Sequence, residues 1–391
     1  MFVEHWVWLQ QVLGYASDKL PIILRHFGDA KGFYEASDDK KIEYGALNSL
    51  QAERLHKISS NKISDVIRQC EKTDITPVTP DSVKYPRALL NIADPPAVIY
   101  CRGAMPNVDD EVTIGIVGPR RASSQGLKIS FQMAYSLGLA NCIIASGGAR
   151  GVDAMAHNGA LEAAAKTIAV MGCGLNADYL KCNEKLRERI VLNGCIISEY
   201  TPETLPFPWN FPVRNRLISG ISKGVVVTEA GVRSGALITA SHAAEQGKDV
   251  FVVEGNPELA QYEGSAKLIE DGAVPLSSPG RILAEYFPDV EYIPETEKIE
   301  KIYNKLFKKV KDIISADTQE IVLPPQTPEI NEEILSKIAV LICREFTGKI
   351  FYTDEVIAKL NLEFSETISA LIELELLGII GAVAGGRYVF I

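Results

Sequence analysis

Five short segments in the middle of this 391-residue chain collect the side chains best suited to holding phosphate. The first reads Gly118-Pro119-Arg120-Arg121-Ala122-Ser123-Ser124-Gln125-Gly126, the second Ser146-Gly147-Gly148-Ala149-Arg150-Gly151, and the third Met171-Gly172-Cys173-Gly174. A proline- and aromatic-rich loop, PFPWNFPVRNR, carries Phe211, Arg214, Asn215 and Arg216. The fifth, Glu229-Ala230-Gly231-Val232-Arg233-Ser234-Gly235, is followed by Thr239. Glycine lets backbone N–H groups approach phosphate oxygens, and a helix N-terminus adds a favourable dipole. Arginine supplies bidentate contacts to the same oxygens. Any one of these loops is equally explained by a tight strand-to-helix turn. Their recurrence, with arginine in three of the four glycine-rich loops, points to a phosphate-bearing ligand. Phe211 has two readings. As a ligand residue it would stack a splayed base while the guanidinium groups hold phosphates; as a core residue it would fill a proline-rich loop.

Other chemistry finds less support. The first loop is G-I-V-G-P-R rather than G-x-G-x-x-G, and Ser146-Gly147 stands where an acidic residue would bind a ribose hydroxyl, which disfavours NAD. No G-x4-G-K-[ST] occurs, which disfavours a P-loop nucleotidase. Asp153 and His157 lie four residues apart on one expected helix and read as a capping carboxylate and a packed histidine. Glu199 and Glu229 end expected strands, where acid/base groups can sit, but no motif places a nucleophile beside them. The seven cysteines lack metal-ligand spacing, so buried thiols are expected and no metal or cofactor.

The elements that must position these loops are legible as a change of period. Residues 1–75 show helical spacing in WVWLQQVL, KLPIILRHFG, LNSLQAERLHKI and SDVIRQCEKT, a small helical, SAM-like module. A proline-punctuated lead-in follows, with one strand at 98–101. From residue 112, Val/Ile runs at 112–117, 142–145, 167–170, 195–198, 225–228 and 250–253 alternate with helical stretches. That pattern predicts an α/β, Rossmann-like, doubly wound parallel sheet over 76–288. A charged linker with a proline-rich hinge, LPPQTPE, is expected over 289–328. Three helices and a β-ribbon over 329–391 then suggest a winged-helix-like module.

Charge is distributed unevenly. The chain carries a net −10, yet residues 112–256 hold 14 Lys+Arg against 11 Asp+Glu, a local +3, so the remainder carries −13. A phosphate-binding face on an acidic protein is thus permitted. Residues 330–391 hold 5 Lys+Arg against 9 Asp+Glu, which suits a protein contact or a solvated face better than a duplex-DNA groove. No apolar run is long enough for a membrane span. The opening MFVEHWVWLQQVLG has Glu4 where a signal peptide wants basic residues, so a cytoplasmic protein is expected.

At these motifs the sequence resembles the DNA-processing protein A family (DprA, also called Smf). VTIGIVGPRRAS is similar to that family's first strand and phosphate loop, and IIASGGARGVDAMAHNGAL to its SGxARGID…AH…AL segment. TIAVMGCGLNADYLKCNEKL, the FPVRNRLISGIS block, VVVTEAGVRSGALITASHAAEQGKDVFVVEGN and SAKLIEDGA follow in the family's order. Three positions depart from the pattern: Pro119 replaces Ser or Thr, Leu180 replaces Pro, and Glu254 replaces the Pro before Gly255. The resemblance implies a non-enzymatic protein that binds single-stranded DNA, protects it during natural transformation and helps load RecA recombinase. It also implies a homodimer formed through the Rossmann-like domain. Carried over by motif, the DNA contacts are Gly118, Arg120, Ser146, Gly147, Phe211, Arg214, Asn215, Arg216, Ser234, Gly235 and Thr239, with Lys181 as an addition. The competing expectation is a nucleotide or nucleoside-phosphate hydrolase using the same loops, although the PGGxGTxxE motif of related phosphoribohydrolases is lacking.

Overall fold

Six short helices occupy residues 3–72 in the computed structural model, which describes residues 3–288, 298–305, 336–346, 350–360 and parts of 362–390. They are α1 (Val3–Leu13), α2 (Leu20–Phe27), α3 (Ala30–Glu35), α4 (Asp38–Tyr44), α5 (Ser49–Lys57) and α6 (Ser60–Lys72). Sequence periodicity predicts four of them. The other two, α3 and α4, span only 6 and 7 residues, too few to display a period. α5 starts at a reciprocal capping box, Asn48 accepting from the Gln51 amide at 2.9 Å and Gln51 accepting from that of Asn48 at 3.1 Å.

The lead-in forms the antiparallel pair β1 (Thr76–Val78) and β2 (Ile99–Gly103). Strand and helix then alternate: β3 (Thr113–Val117), α7 (Ser124–Leu139), β4 (Ile143–Ser146), α8 (Val152–Glu162), β5 (Thr167–Met171), α9 (Glu184–Leu192) and β6 (Gly194–Ser198). The series continues through α10 (Asn210–Gly220), β7 (Gly224–Val227), α11 (Gly235–Glu245), β8 (Asp249–Val253), α12 (Glu263–Glu270), β9 (Val274–Leu276) and α13 (Gly280–Tyr286). All nine strands join one sheet in the order β1-β2-β6-β5-β4-β3-β7-β8-β9. β3 to β9 pair in parallel, and β2 runs antiparallel to β6. The fold is Rossmann-like, with β3 to β7 buried at every position, as strands covered on both faces must be. Strands β3 to β6 step outward on one side of the sheet and β7 to β9 on the other. The order therefore reverses between β3 and β7, where an open parallel sheet leaves a crevice.

The segment PFPWNFPVRNR differs from expectation: Asn210 onward is the first part of α10, not a loop. Pro212 is compatible with this because it lies in the first turn, where its missing N–H has no intrahelical acceptor to lose. Within the expected linker, the described residues are helical. Residues 298–305 form a helix, α14, whose Ile299 and Tyr303 pack on Leu127, Phe131 and Tyr135 of α7 and on Met155. The proline-rich hinge lies outside the described residues.

The chain divides into two compact units, Met1–Ala316 and Asp317–Ile391. The second contains α15 (Lys337–Phe346), β10 (Ile350–Tyr352), α16 (Thr353–Leu360), β11 (Ile380–Val383) and β12 (Arg387–Phe390). β12 is the central strand of an antiparallel three-stranded sheet, and Ile342, Phe346, Phe351 and Leu371 lie in the core beneath. The third expected helix, SETISALIELELLG, falls largely outside the described residues. No helix among the described residues is long and apolar enough to cross a membrane.

A buried amide helps join the helical module to the sheet. Gln10 on α1 donates to the carbonyls of Val98 (3.2 Å) and Glu199 (2.9 Å) and accepts from the Tyr100 hydroxyl (2.8 Å). Trp6, Leu9 and Phe33 of the helical module share one apolar cluster with Val98 and Tyr100. Gln10→Ala leaves three buried polar groups unpaired and is expected to cost about 1–3 kcal/mol, read as a lower midpoint in urea unfolding.

Candidate functional site

A cleft of about 580 Å³ opens where the strand order reverses. The β3–α7 loop contributes Gly118, Pro119, Arg120 and Arg121, and the loop after β7 contributes Glu229, Gly231, Arg233, Ser234 and Gly235. α10 presents Phe211, Pro212, Arg214 and Asn215 from its first turns, and Thr239 lines the wall from α11. Ser123 and Ser234 begin α7 and α11 as side-chain N-caps, accepting from the Gly126 and Ala236 amides. Both helices therefore start beside the cleft and direct the positive ends of their dipoles towards it.

Four arginines (120, 121, 214 and 233) line the cleft against two carboxylates. Both carboxylates are already engaged. Glu229 accepts from the Ser123 amide at 3.1 Å and its hydroxyl at 2.5 Å. Asp153 accepts from the Ala149 amide at 3.3 Å and faces Arg214; burial pushes its carboxyl up, and the Arg214 charge opposes that shift. The net field in the cleft therefore favours an anion.

The Phe211 ring lies under two guanidinium groups, Arg120 at 5.0 Å and Arg214 at 5.7 Å from its centroid. Arg120 is exposed, whereas Arg214 is enclosed. Arg214 donates to the carbonyls of Gly147 (2.8 Å) and Val170, and burial lowers its pKa. Gly147 leaves the space for this: a Cβ there would sit 2.6 Å from Asp153 Oδ2 and 2.7 Å from Arg214 Nη2. Gly151 is required on a second ground. Its φ is +76°, and a Cβ would fall 2.4 Å from the Pro119 carbonyl oxygen, so the first two glycine loops touch through it. Pro119 itself keeps a structural acceptor, since its carbonyl takes the Val152 amide at 3.3 Å.

Gly118, Arg120, Phe211, Arg214, Asn215, Ser234, Gly235 and Thr239 are thus brought together, and the remaining motif residues are not. The Ser146 hydroxyl is buried and donates to the Ile116 carbonyl at 2.6 Å. Gly147 acts as backbone beneath Arg214. Lys181 pairs with Asp178 at 2.8 Å on the border of a separate cleft with Arg102 and Arg187. Arg216 is 2% exposed and is held by Asp94 and Glu199, each at 2.8 Å. Its guanidinium has no charge left over for a phosphate, so it positions α10 instead. Arg121 and Arg233 line the cleft but were not among the motif residues; both sit in the quoted loops, so a count of every loop arginine would have found them. Leu180, at the family's proline position, adopts φ +46°, a left-handed conformation closed to proline.

The model of the DNA recombination-mediator protein A family matches residues 76–287. Protein Smf of Synechocystis sp. is 30% identical over 395 residues, covering 98% of each chain. Among solved structures, the chain is similar to DNA processing protein A of Streptococcus pneumoniae, with TM-score 0.63 and 31% identity over 71% of this chain and 95% of that one. The Helicobacter pylori DNA processing protein A, described for its single-stranded DNA binding mode, gives TM-score 0.50 and 29% identity over 55% of this chain and 98% of that one.

His157 lies under the same loops and is fully buried. The Thr167 hydroxyl gives its proton to the Ile144 carbonyl (2.7 Å), so it accepts from His157 Nδ1 at 2.8 Å. Burial, reinforced by the Arg214 charge, pushes the imidazole down to about 3. The unfolded chain, with an ordinary histidine near 6.5, takes up this proton first as pH falls, so the folded state loses stability between those values. About 2 kcal/mol of urea stability is expected to disappear from pH 7.5 to pH 5 on this account. His157→Gln should flatten that part of the profile.

Proposed function

The chain belongs to the DNA recombination-mediator protein A family, and on that premise we propose that the cleft binds single-stranded DNA. The observation that carries this reading is the Phe211 ring beneath the guanidinium groups of Arg120 and Arg214. A flat apolar surface beside cationic groups is how a strand is gripped without sequence readout. In this reading the exposed Arg120, Arg121 and Arg233 meet phosphates, the helix starts at Ser123 and Ser234 add to their pull, and the buried Arg214 holds the ring in place. The protein would act in the cytoplasm, shielding incoming single strands during natural transformation and helping RecA recombinase onto them, as a homodimer joined through the sheet domain. The second unit, with its helix–strand–helix–ribbon order, would serve as an acidic winged-helix-like module for a protein partner.

A nucleotide or nucleoside-phosphate hydrolase is the competing reading. It needs a carboxylate free to move a proton, and Asp153 and Glu229 are both engaged with the fold. Binding without catalysis is the better match.

Fluorescence anisotropy with labelled oligonucleotides separates the two. Single strands should bind in preference to duplex, with little dependence on sequence and with affinity falling as salt rises. Arg120→Ala should weaken binding and reduce the slope of log affinity against log salt by about one. Unchanged affinity and slope in that variant would remove Arg120 from the interface, and release of adenine from AMP would favour the hydrolase.

A further inference from the structure

The rim of the cleft carries an aromatic pair that the motifs do not include. Phe207 and Trp209 stack with ring centroids 4.7 Å apart and an interplanar angle of 8°. Both are partly exposed, and Pro208 between them lines the cleft. A tight turn fixes their positions: the Phe207 amide donates to Leu205 at 2.9 Å and the Asn210 amide to Phe207 at 3.0 Å. Trp209 is the residue that precedes α10.

Near-parallel rings at this spacing form an offset stack, a favoured aromatic arrangement, yet here the pair is left partly exposed. Aromatic pairs prefer offset or edge-to-face arrangements inside a core, and they gain most when water is excluded from both. Here two nearly parallel rings stand at the lip of a cleft lined by four arginines, so their accessible surface adjoins a field that attracts polyanions. A planar, π-faced group attached to a phosphate chain matches both features at once.

We propose that bases of a bound single strand stack on the Phe207–Trp209 pair while their phosphates lie along the arginines of the cleft. The assignment rests on the reading of the cleft as a single-strand site. It extends that site outward from Phe211 and names the ligand group at the rim as an unpaired nucleobase of any identity, since every base has a π-face. Duplex DNA, whose bases are already stacked on one another, cannot supply it.

Intrinsic fluorescence tests this directly in the full chain. Of the three tryptophans, Trp6 and Trp8 are buried in the N-terminal cluster, at 2% and 7% exposure, which leaves Trp209 as the one that solvent-borne bases can reach. Oligothymidylate should quench the emission in step with its anisotropy-monitored binding, and an abasic oligomer of equal length should bind at low salt without quenching. Trp209→Ala should abolish the quenching and weaken oligothymidylate binding about ten-fold, with the abasic oligomer little affected. Trp209→Phe, which keeps the stacking surface, should bind like the parent and so separate loss of stacking from damage to the turn. Binding that leaves tryptophan emission unchanged, or a Trp209→Ala affinity within about two-fold of the parent, overturns the stacking assignment and leaves the cleft reading intact. Failure of the parent to bind any single strand overturns both.

Discussion

The buried ion pair between Arg216 and Glu199 is the interaction on which the site depends. Taking both charges out of water costs several kcal/mol per ion, repaid only by close, well-directed contacts. Here Arg216 reaches Glu199 and Asp94, each at 2.8 Å, and Glu199 also accepts from the Ala16 amide at 3.2 Å. One guanidinium thus connects α10, the end of β6, the lead-in and the helical module. Losing a single partner from such a pair costs about 3–5 kcal/mol, because the other charge stays buried. α10 is therefore fixed in place, and everything it offers the cleft is fixed with it.

The same helix explains how one short motif serves two purposes. Arg214 and Arg216 are separated by one residue, and residues at i and i+2 on a helix point to different faces. Arg214 turns towards Gly147, Asp153 and Phe211, and Arg216 turns away into the ion pair. Read as a string, R-N-R looks like a doubled phosphate clamp. Folded, it is one support for the cleft and one anchor for the helix. The burial of both leaves the exposed charge to Arg120, Arg121 and Arg233, which can move to meet a ligand.

Much of the sheet was legible because its strands are short Val/Ile runs between glycine-rich turns, a pattern that survives without tertiary information. The segment before Arg214 reads as a loop in the sequence because its prolines suggest a break. A proline in the first helical turn breaks nothing, and where that turn begins is decided by what α10 packs against. The Phe207–Trp209 pair was invisible for a related reason: two aromatics separated by a proline carry no period, and only the turn makes them parallel.

By itself, the sequence determined the alternation of strands and helices, the concentration of glycine and arginine after the strands, and the family motifs that run in order from residue 112. These depend on local preference and spacing, which the chain carries in linear form. Only the tertiary structure decided which arginines face the cleft. Ser146 and Arg216 are chemically equipped to bind phosphate, yet the Ser146 hydroxyl is buried and given to Ile116, and Arg216 is buried with its charge held by Glu199 and Asp94. A polar side chain binds a ligand only if the fold leaves it unpaired and accessible, and that depends on neighbours brought from distant parts of the chain.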